Sequence, residues 1–152
     1  MNLGWQLISD DLIAISDDLK VLPGIPRIKL WDDAISHFKI KRENLKRVRM
    51  DMNKFQLSGN DVNSSYRKSK ISAIYILENN SNKTVKSQIF GDKKKLFKVL
   101  NNLYRPLYIK GFNKEANYFK KITELIKDIP IYSLSLPRSL SKMERWLYLN
   151  EL

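Results

Sequence analysis

The residues of this sequence best suited to chemistry lie near its beginning. Asp10 and Asp11 stand side by side between two apolar runs at 5–8 and 12–15, and the cations Arg27 and Lys29 follow. Adjacent carboxylates at a strand end fit phosphoryl transfer, because one can orient or deprotonate a hydroxyl while the other holds a magnesium ion. Lys54 and Arg138 are two further cations suited to binding phosphates. Each residue also has a plainer reading, since adjacent acids form turns and single cations are often solvated surface charge.

The elements that must position these residues are short. Residues 5–8 and 12–15 read as two strands flanking Ser9-Asp10-Asp11, and Asp17-Asp18 marks a turn into a third strand at 19–22, which makes a small meander. Pro23 and Pro26 bracket Gly24, so two fixed φ angles surround a position free to take φ > 0, and this loop presents Arg27 and Lys29. From Leu30 the spacing turns helical, with Trp31, Ile35 and Phe38 on one face and Asp32 and Asp33 in the first turn, where the helix dipole favours them.

Charge is unevenly distributed along the chain. Of the formal net charge of +12, residues 1–38 carry three Lys or Arg against six Asp or Glu, whereas 39–152 carry 25 against ten. The acidic beginning suits chemistry, and the basic remainder suits an anionic partner or a solvated Lys-rich surface. Residues 39–54 are the most basic, yet few rings are interleaved there, and no helix-turn-helix, zinc-finger or RNA-recognition signature occurs. Nucleic acid is therefore disfavoured as a partner. The absence of Cys excludes disulfides and thiolate metal sites, and a lone His37 argues against a histidine relay. No apolar run reaches the ~20 residues of a membrane span, and no signal peptide is recognisable, so a cytoplasmic protein without membrane attachment is expected.

Farther along, 54–57 reads as a short strand and 58–70 as an exposed loop. Ile71–Leu77 reads as a core strand in the middle of a covered sheet, which Asn79-Asn80-Ser81-Asn82 turns back into a partner at 84–90. Asp92 is placed to cap a helix carrying Leu96, Val99, Leu100 and Leu103, and Asn113 to cap another with Phe119, Ile122 and Ile126 along one stripe; the aromatic residues of these helices read as core. Pro130 stops that helix before a strand at 131–134, and Ser141 with Glu144 reads as a capping box for a last helix burying Met143, Trp146 and Leu147. The pattern predicts one domain over residues 1–152, of the mixed α+β or α/β class, with a mixed sheet and flanking helices.

The stretches Leu7-Ile8-Ser9-Asp10-Asp11-Leu12-Ile13-Ala14-Ile15 and Leu22-Pro23-Gly24-Ile25-Pro26-Arg27-Ile28-Lys29-Leu30-Trp31-Asp32-Asp33-Ala34 resemble the second half of HPr kinase-like proteins, the serine kinases related to phosphoenolpyruvate carboxykinase. Residues 53–57, 73–78 and 129–138 follow in the order that family shows. The resemblance implies a partial phosphoenolpyruvate carboxykinase-like kinase fold and an ATP-dependent kinase. Asp10 then matches the residue that activates the acceptor hydroxyl, Asp11 the one near the metal and phosphates, and Arg27 and Lys29 the basic positions of the following loop. Lys54 and Arg138 match further basic positions.

The family's P-loop precedes the Asp-Asp strand by several tens of residues. No pair among Gly4, Gly24, Gly59, Gly91 and Gly111 has the spacing of a phosphate-cradling loop. The resemblance therefore predicts a C-terminal portion, from a truncated or split gene product, with negligible kinase activity alone. ATP and Mg2+ are expected as cofactors only when a P-loop-containing partner chain supplies the cradle; the acceptor is a serine-bearing peptide, a protein or a small molecule. Loss of the N-terminal strands predicts an unpaired edge and hence a homo-oligomer. Two other classes stay open: a noncatalytic peptide- or protein-binding module using the basic face, and a nucleic-acid-binding protein.

Overall fold

The computed structural model describes residues 4–78, 85–137 and 139–149, and its chain forms two compact units. The first comprises the described residues within 1–15, 21–69 and 139–152; the second comprises those within 16–20 and 70–138. Helices and small sheets, both parallel and antiparallel, make the chain mixed α+β.

The strand β1 (Ala14–Ile15) pairs antiparallel with β2 (Lys20–Leu22) through Ala14 with Leu22 and Ile15 with Val21, and the stretch expected as a loop at 58–70 ends in a two-residue strand, β6 (Ser69–Lys70). The expected strand at 5–8 does not form: Leu7 makes one isolated parallel bridge to Ser64, donating its N–H to Asn63 O at 2.7 Å and accepting from Ser65 N at 2.8 Å. The strand β3 (Arg27–Trp31) pairs along its whole length with β5 (Lys54–Ser58), and β4 (Lys46–Arg47) lies on the other side of β5. This order follows from alternation: Ile28, Leu30, Phe55 and Leu57 share one face, while Arg27, Lys29, Lys54 and Gln56 share the other.

The short helix α1 (Asp32–His37) follows β3, with Asp32 and Asp33 in its first turn and Ile35 only 2% exposed. It ends in a Schellman motif: Lys39, at φ 52°, donates its N–H to Ser36 O, and Ile40 donates to Ile35 O. The helix α5 (Leu140–Leu149) belongs to the same unit, and Glu144 Oε2 lies 3.0 Å from His37 Nε2. Glu144 thus reaches across to another helix instead of closing a capping box, and Ser141 lies inside the helix, which starts at Leu140.

In the second unit β9 (Ile131–Ser135) is the central strand, parallel to β7 (Ile74–Glu78) on one side and antiparallel to β8 (Val85–Gln88) on the other. This corrects the reading of Ile71–Leu77 as the middle strand: β7 is at the sheet edge, Leu77 is exposed, and β8 pairs with β9 and not with β7. Asn79-Asn80-Ser81-Asn82 lie outside the described residues. The core gathers Ile76, Ile89 and Ile131 with Ile122 and Ile126 of α4 (Glu115–Asp128), and Leu96, Val99 and Leu100 of α2 (Asp92–Leu100) pack against it. On the sheet, the rings of Tyr75 and Tyr132 stack at 5.1 Å beneath the Lys86 ammonium.

A helix that the pattern did not announce, α3 (Pro106–Gly111), precedes α4, with Pro106 at a first-turn position where its missing N–H does no harm. Asn113 is the left-handed residue that closes α3, with φ 52° and Lys114 N donating to Ile109 O, and it does not cap α4. The rings expected in the core are outside it: Phe97 and Phe119 are exposed, because the apolar stripe of α4 is Ile122, Leu125 and Ile126. Gly91 precedes α2 at φ 83°, and Asp92 is the first helical residue without a side-chain capping bond. Among the described residues no helix is long and apolar enough to cross a membrane.

Candidate functional site

Asp10 and Asp11 lie in a bend of the first unit, not at the end of a regular strand. Leu12 donates its N–H to Asp10 O at 2.8 Å, which closes a γ-turn centred on Asp11 at φ 65°, a left-handed conformation that aspartate tolerates better than most residues. Ser9 Oγ ties the same turn by donating to Leu12 O at 2.5 Å. The turn leans on the Pro23–Pro26 loop, where Gly24 donates its N–H to Ile8 O at 2.8 Å. Gly24 does not take positive φ; its value is the space it leaves, because a Cβ there would stand 2.4 Å from Ser9 Oγ and 2.9 Å from Ser9 Cβ.

Lys29 receives both carboxylates. Its backbone N–H donates to Asp10 Oδ2 at 3.0 Å, and its ammonium donates to Asp11 Oδ2 at 2.5 Å. The bond from Lys29 is the main reason the Asp11 carboxyl sits below its ordinary range; partial desolvation opposes it, and the positive fields of Lys29, Lys54 and Arg27 add to it. Asp11 is therefore ionised at neutral pH. A carboxylate held low in this way orients a hydroxyl or balances charge better than it stores a proton.

The cationic face behind the acidic turn follows from β pairing. Arg27, Lys29 and Trp31 alternate onto one face of β3, and their partners on β5 are Ser58, Gln56 and Lys54. The Lys54 ammonium lies 5.4 Å from the centroid of the Trp31 ring, a cation–π contact that holds it over the strand pair. Lys46 of β4 stands opposite Gln56 and so belongs to the same face. It went unmarked in the sequence because only the β4–β5 register distinguishes it from its neighbour Arg47, which stands opposite Phe55 and, with Arg42, approaches that ring at 5.5 and 5.4 Å.

Asp10, Asp11, Arg27, Lys29 and Lys54 thus fall in one unit around one turn and one strand pair, and Arg138 lies outside the described residues. Among the described residues no three His, Asp or Glu side chains come together as a metal cage. Any cation at Asp11 would compete with the Lys29 ammonium for its carboxylate. No protein-family model, curated protein or solved structure matches the chain.

Proposed function

We propose that this chain carries the acceptor side of an HPr kinase-like, ATP-dependent serine kinase. The observation that supports the reading is the convergence of Asp10 and Asp11 on Lys29, with Arg27 and Lys54 close enough to act on the Asp11 carboxyl. Magnesium-bound ATP supplies the transferable phosphoryl group when a P-loop from another chain or segment holds it. Asp10, fixed by the Lys29 backbone amide, accepts the proton of an acceptor serine hydroxyl as the serine oxygen bonds to the γ-phosphorus and the bond to ADP breaks. Asp11 is the carboxylate for the magnesium ion. Arg27, Lys29 and Lys54 offset the negative charge of the phosphates, an electrostatic role that does not require them to move protons.

The cradle's backbone amides, lysine and magnesium-binding hydroxyl are not among these residues, so activity requires their addition. With a P-loop chain present, Asp10→Ala is expected to lower serine phosphorylation by about 10²–10⁴-fold, while MgATP binding persists. The reading fails if Asp10→Ala transfers phosphate at the unaltered rate.

A noncatalytic peptide-binding module is the second reading, and one observation favours it: both carboxylates are already engaged by Lys29, as a purely structural clamp requires. In that case partner binding survives Asp10→Ala and no phosphate moves under any condition.

A further inference from the structure

The second unit carries a groove that the acidic turn and the cationic face of β3 do not use. It encloses about 520 Å³ where α3 faces α4, and Tyr104, Arg105, Tyr108, Phe112, Lys114 and Tyr118 line it. All four rings are exposed, Phe112 most of all at 71%. The surrounding segment 92–121 holds nine Lys or Arg against two Asp or Glu, together with six aromatic residues. Rings and cations are thus interleaved here, as they are not in residues 39–54.

Arg105 organises the groove. It stands immediately before Pro106 with φ 46° and ψ 62°, a left-handed conformation that a residue with a side chain seldom adopts, least of all before proline. Its guanidinium lies 5.1 Å from the centroid of the Tyr104 ring and 5.5 Å from that of Tyr108, and Nη1 donates to the Tyr108 hydroxyl at 3.4 Å. A planar cation is therefore held against two aromatic faces, with further rings and an ammonium within the same concavity.

We propose that this groove binds single-stranded nucleic acid, stacking bases on Tyr104, Tyr108, Phe112 and Tyr118 while Arg105 and Lys114 take the phosphates. Sequence-tolerant single-strand sites combine these two ingredients, aromatic platforms and a basic track. A membrane surface fits less well, since the aliphatic stripe of α4 is spent on Ile122, Leu125 and Ile126 in the unit's own core. An acidic peptide would satisfy the cations but leave the planar faces unused. A duplex keeps its bases stacked on one another and offers the rings nothing to stack on.

The test is fluorescence anisotropy of the full chain with a labelled oligouridylate of about 12 nucleotides, within the span of such sites, against a duplex of equal length and an oligoglutamate. The expected result is preference for the single strand and a linear fall of log affinity with log salt. Tyr108→Ala and Phe112→Ala are each expected to weaken binding by about tenfold, with Tyr108→Phe within about twofold of the unaltered chain. Ultraviolet crosslinking of the unaltered chain, read by peptide mapping, is expected to mark residues 104–118, and it decides the matter if an alanine variant loses its fold by circular dichroism. Equal affinity for duplex or oligoglutamate, crosslinks confined to other segments, or a folded Tyr108→Ala chain with unchanged affinity overturns the proposal.

Discussion

Replacing Gly24 by alanine tests how the acidic turn is held. The new methyl carbon would start 2.4 Å from Ser9 Oγ, 2.9 Å from Ser9 Cβ and 3.3 Å from Ser9 Cα. Ordinary contact requires the Pro23–Pro26 loop and the Ser9–Asp11 turn to separate by about 1 Å, and overpacking of this kind costs about 1–3 kcal/mol. The reduced entropy of the unfolded chain returns roughly 0.4–1 kcal/mol. Stretching of the Gly24 N–H to Ile8 O bond, 2.8 Å long here, adds to the loss. The net expectation is a destabilisation of about 1–2 kcal/mol, read in urea as a midpoint lowered by roughly 0.5–1 M with an unchanged slope. Ser9→Gly removes the two nearest atoms, so in that background Gly24→Ala should cost far less, and the double-mutant cycle should show a coupling of about 1 kcal/mol or more. An equal cost of Gly24→Ala in both backgrounds refutes the steric argument.

Three further outcomes follow from the same geometry. Lys29→Met removes the bond that holds the Asp11 carboxyl low, so its titration by carboxyl-carbon NMR should move up toward the ordinary aspartate range. Because the folded value is depressed, the pair's contribution to stability is present above the unfolded-state value and is lost as pH falls through the folded one; Lys29→Met should flatten that acid limb, and an unmoved Asp11 titration contradicts the assignment. Ile131, fully buried at the centre of the second unit's sheet, should cost about 2–5 kcal/mol when cut to alanine, measured by denaturant unfolding. Lys39→Gly should stabilise the chain by about 0.5–1 kcal/mol, raising the thermal midpoint, because Lys39 occupies the left-handed position of the Schellman motif after α1.

The parts of the fold legible in the sequence are those that local chemistry decides. Asp32 and Asp33 open α1, Pro130 separates α4 from β9, and the alternation over 54–57 produces β5. Long-range pairing decided the rest. Ile71–Leu77 is apolar enough for a central strand, yet β9 takes that place and leaves β7 at the edge, a choice that no local window records. Asn113 suits either a helix N-cap or a left-handed C-terminal position, and the unread helix α3 settled which. The candidate site divides in the same way. Asp10, Asp11, Arg27 and Lys29 stand out by type and spacing, whereas Lys46 joins their cationic face only through the β4–β5 register. The aromatic groove is not legible in the sequence because Arg105, Tyr108 and Phe112 are gathered by α3, a helix the pattern does not announce, and the rings of the neighbouring helices read as core, which the isoleucines of α4 fill instead.

The central claim is that Asp10 and Asp11 serve phosphoryl transfer once a phosphate cradle is supplied. Its most direct test is calorimetric titration of MgATP into this chain alone, then into its mixture with a P-loop-containing chain encoded beside it, with serine phosphorylation followed in the same samples. The account predicts no measurable binding to the chain alone, binding and phosphate transfer in the mixture, and loss of transfer but not of binding with Asp10→Asn. Binding in the mixture with transfer that Asp10→Asn and Asp11→Asn leave intact, or no binding in the mixture at all, contradicts it and leaves the acidic pair as the clamp that fastens this turn to β3.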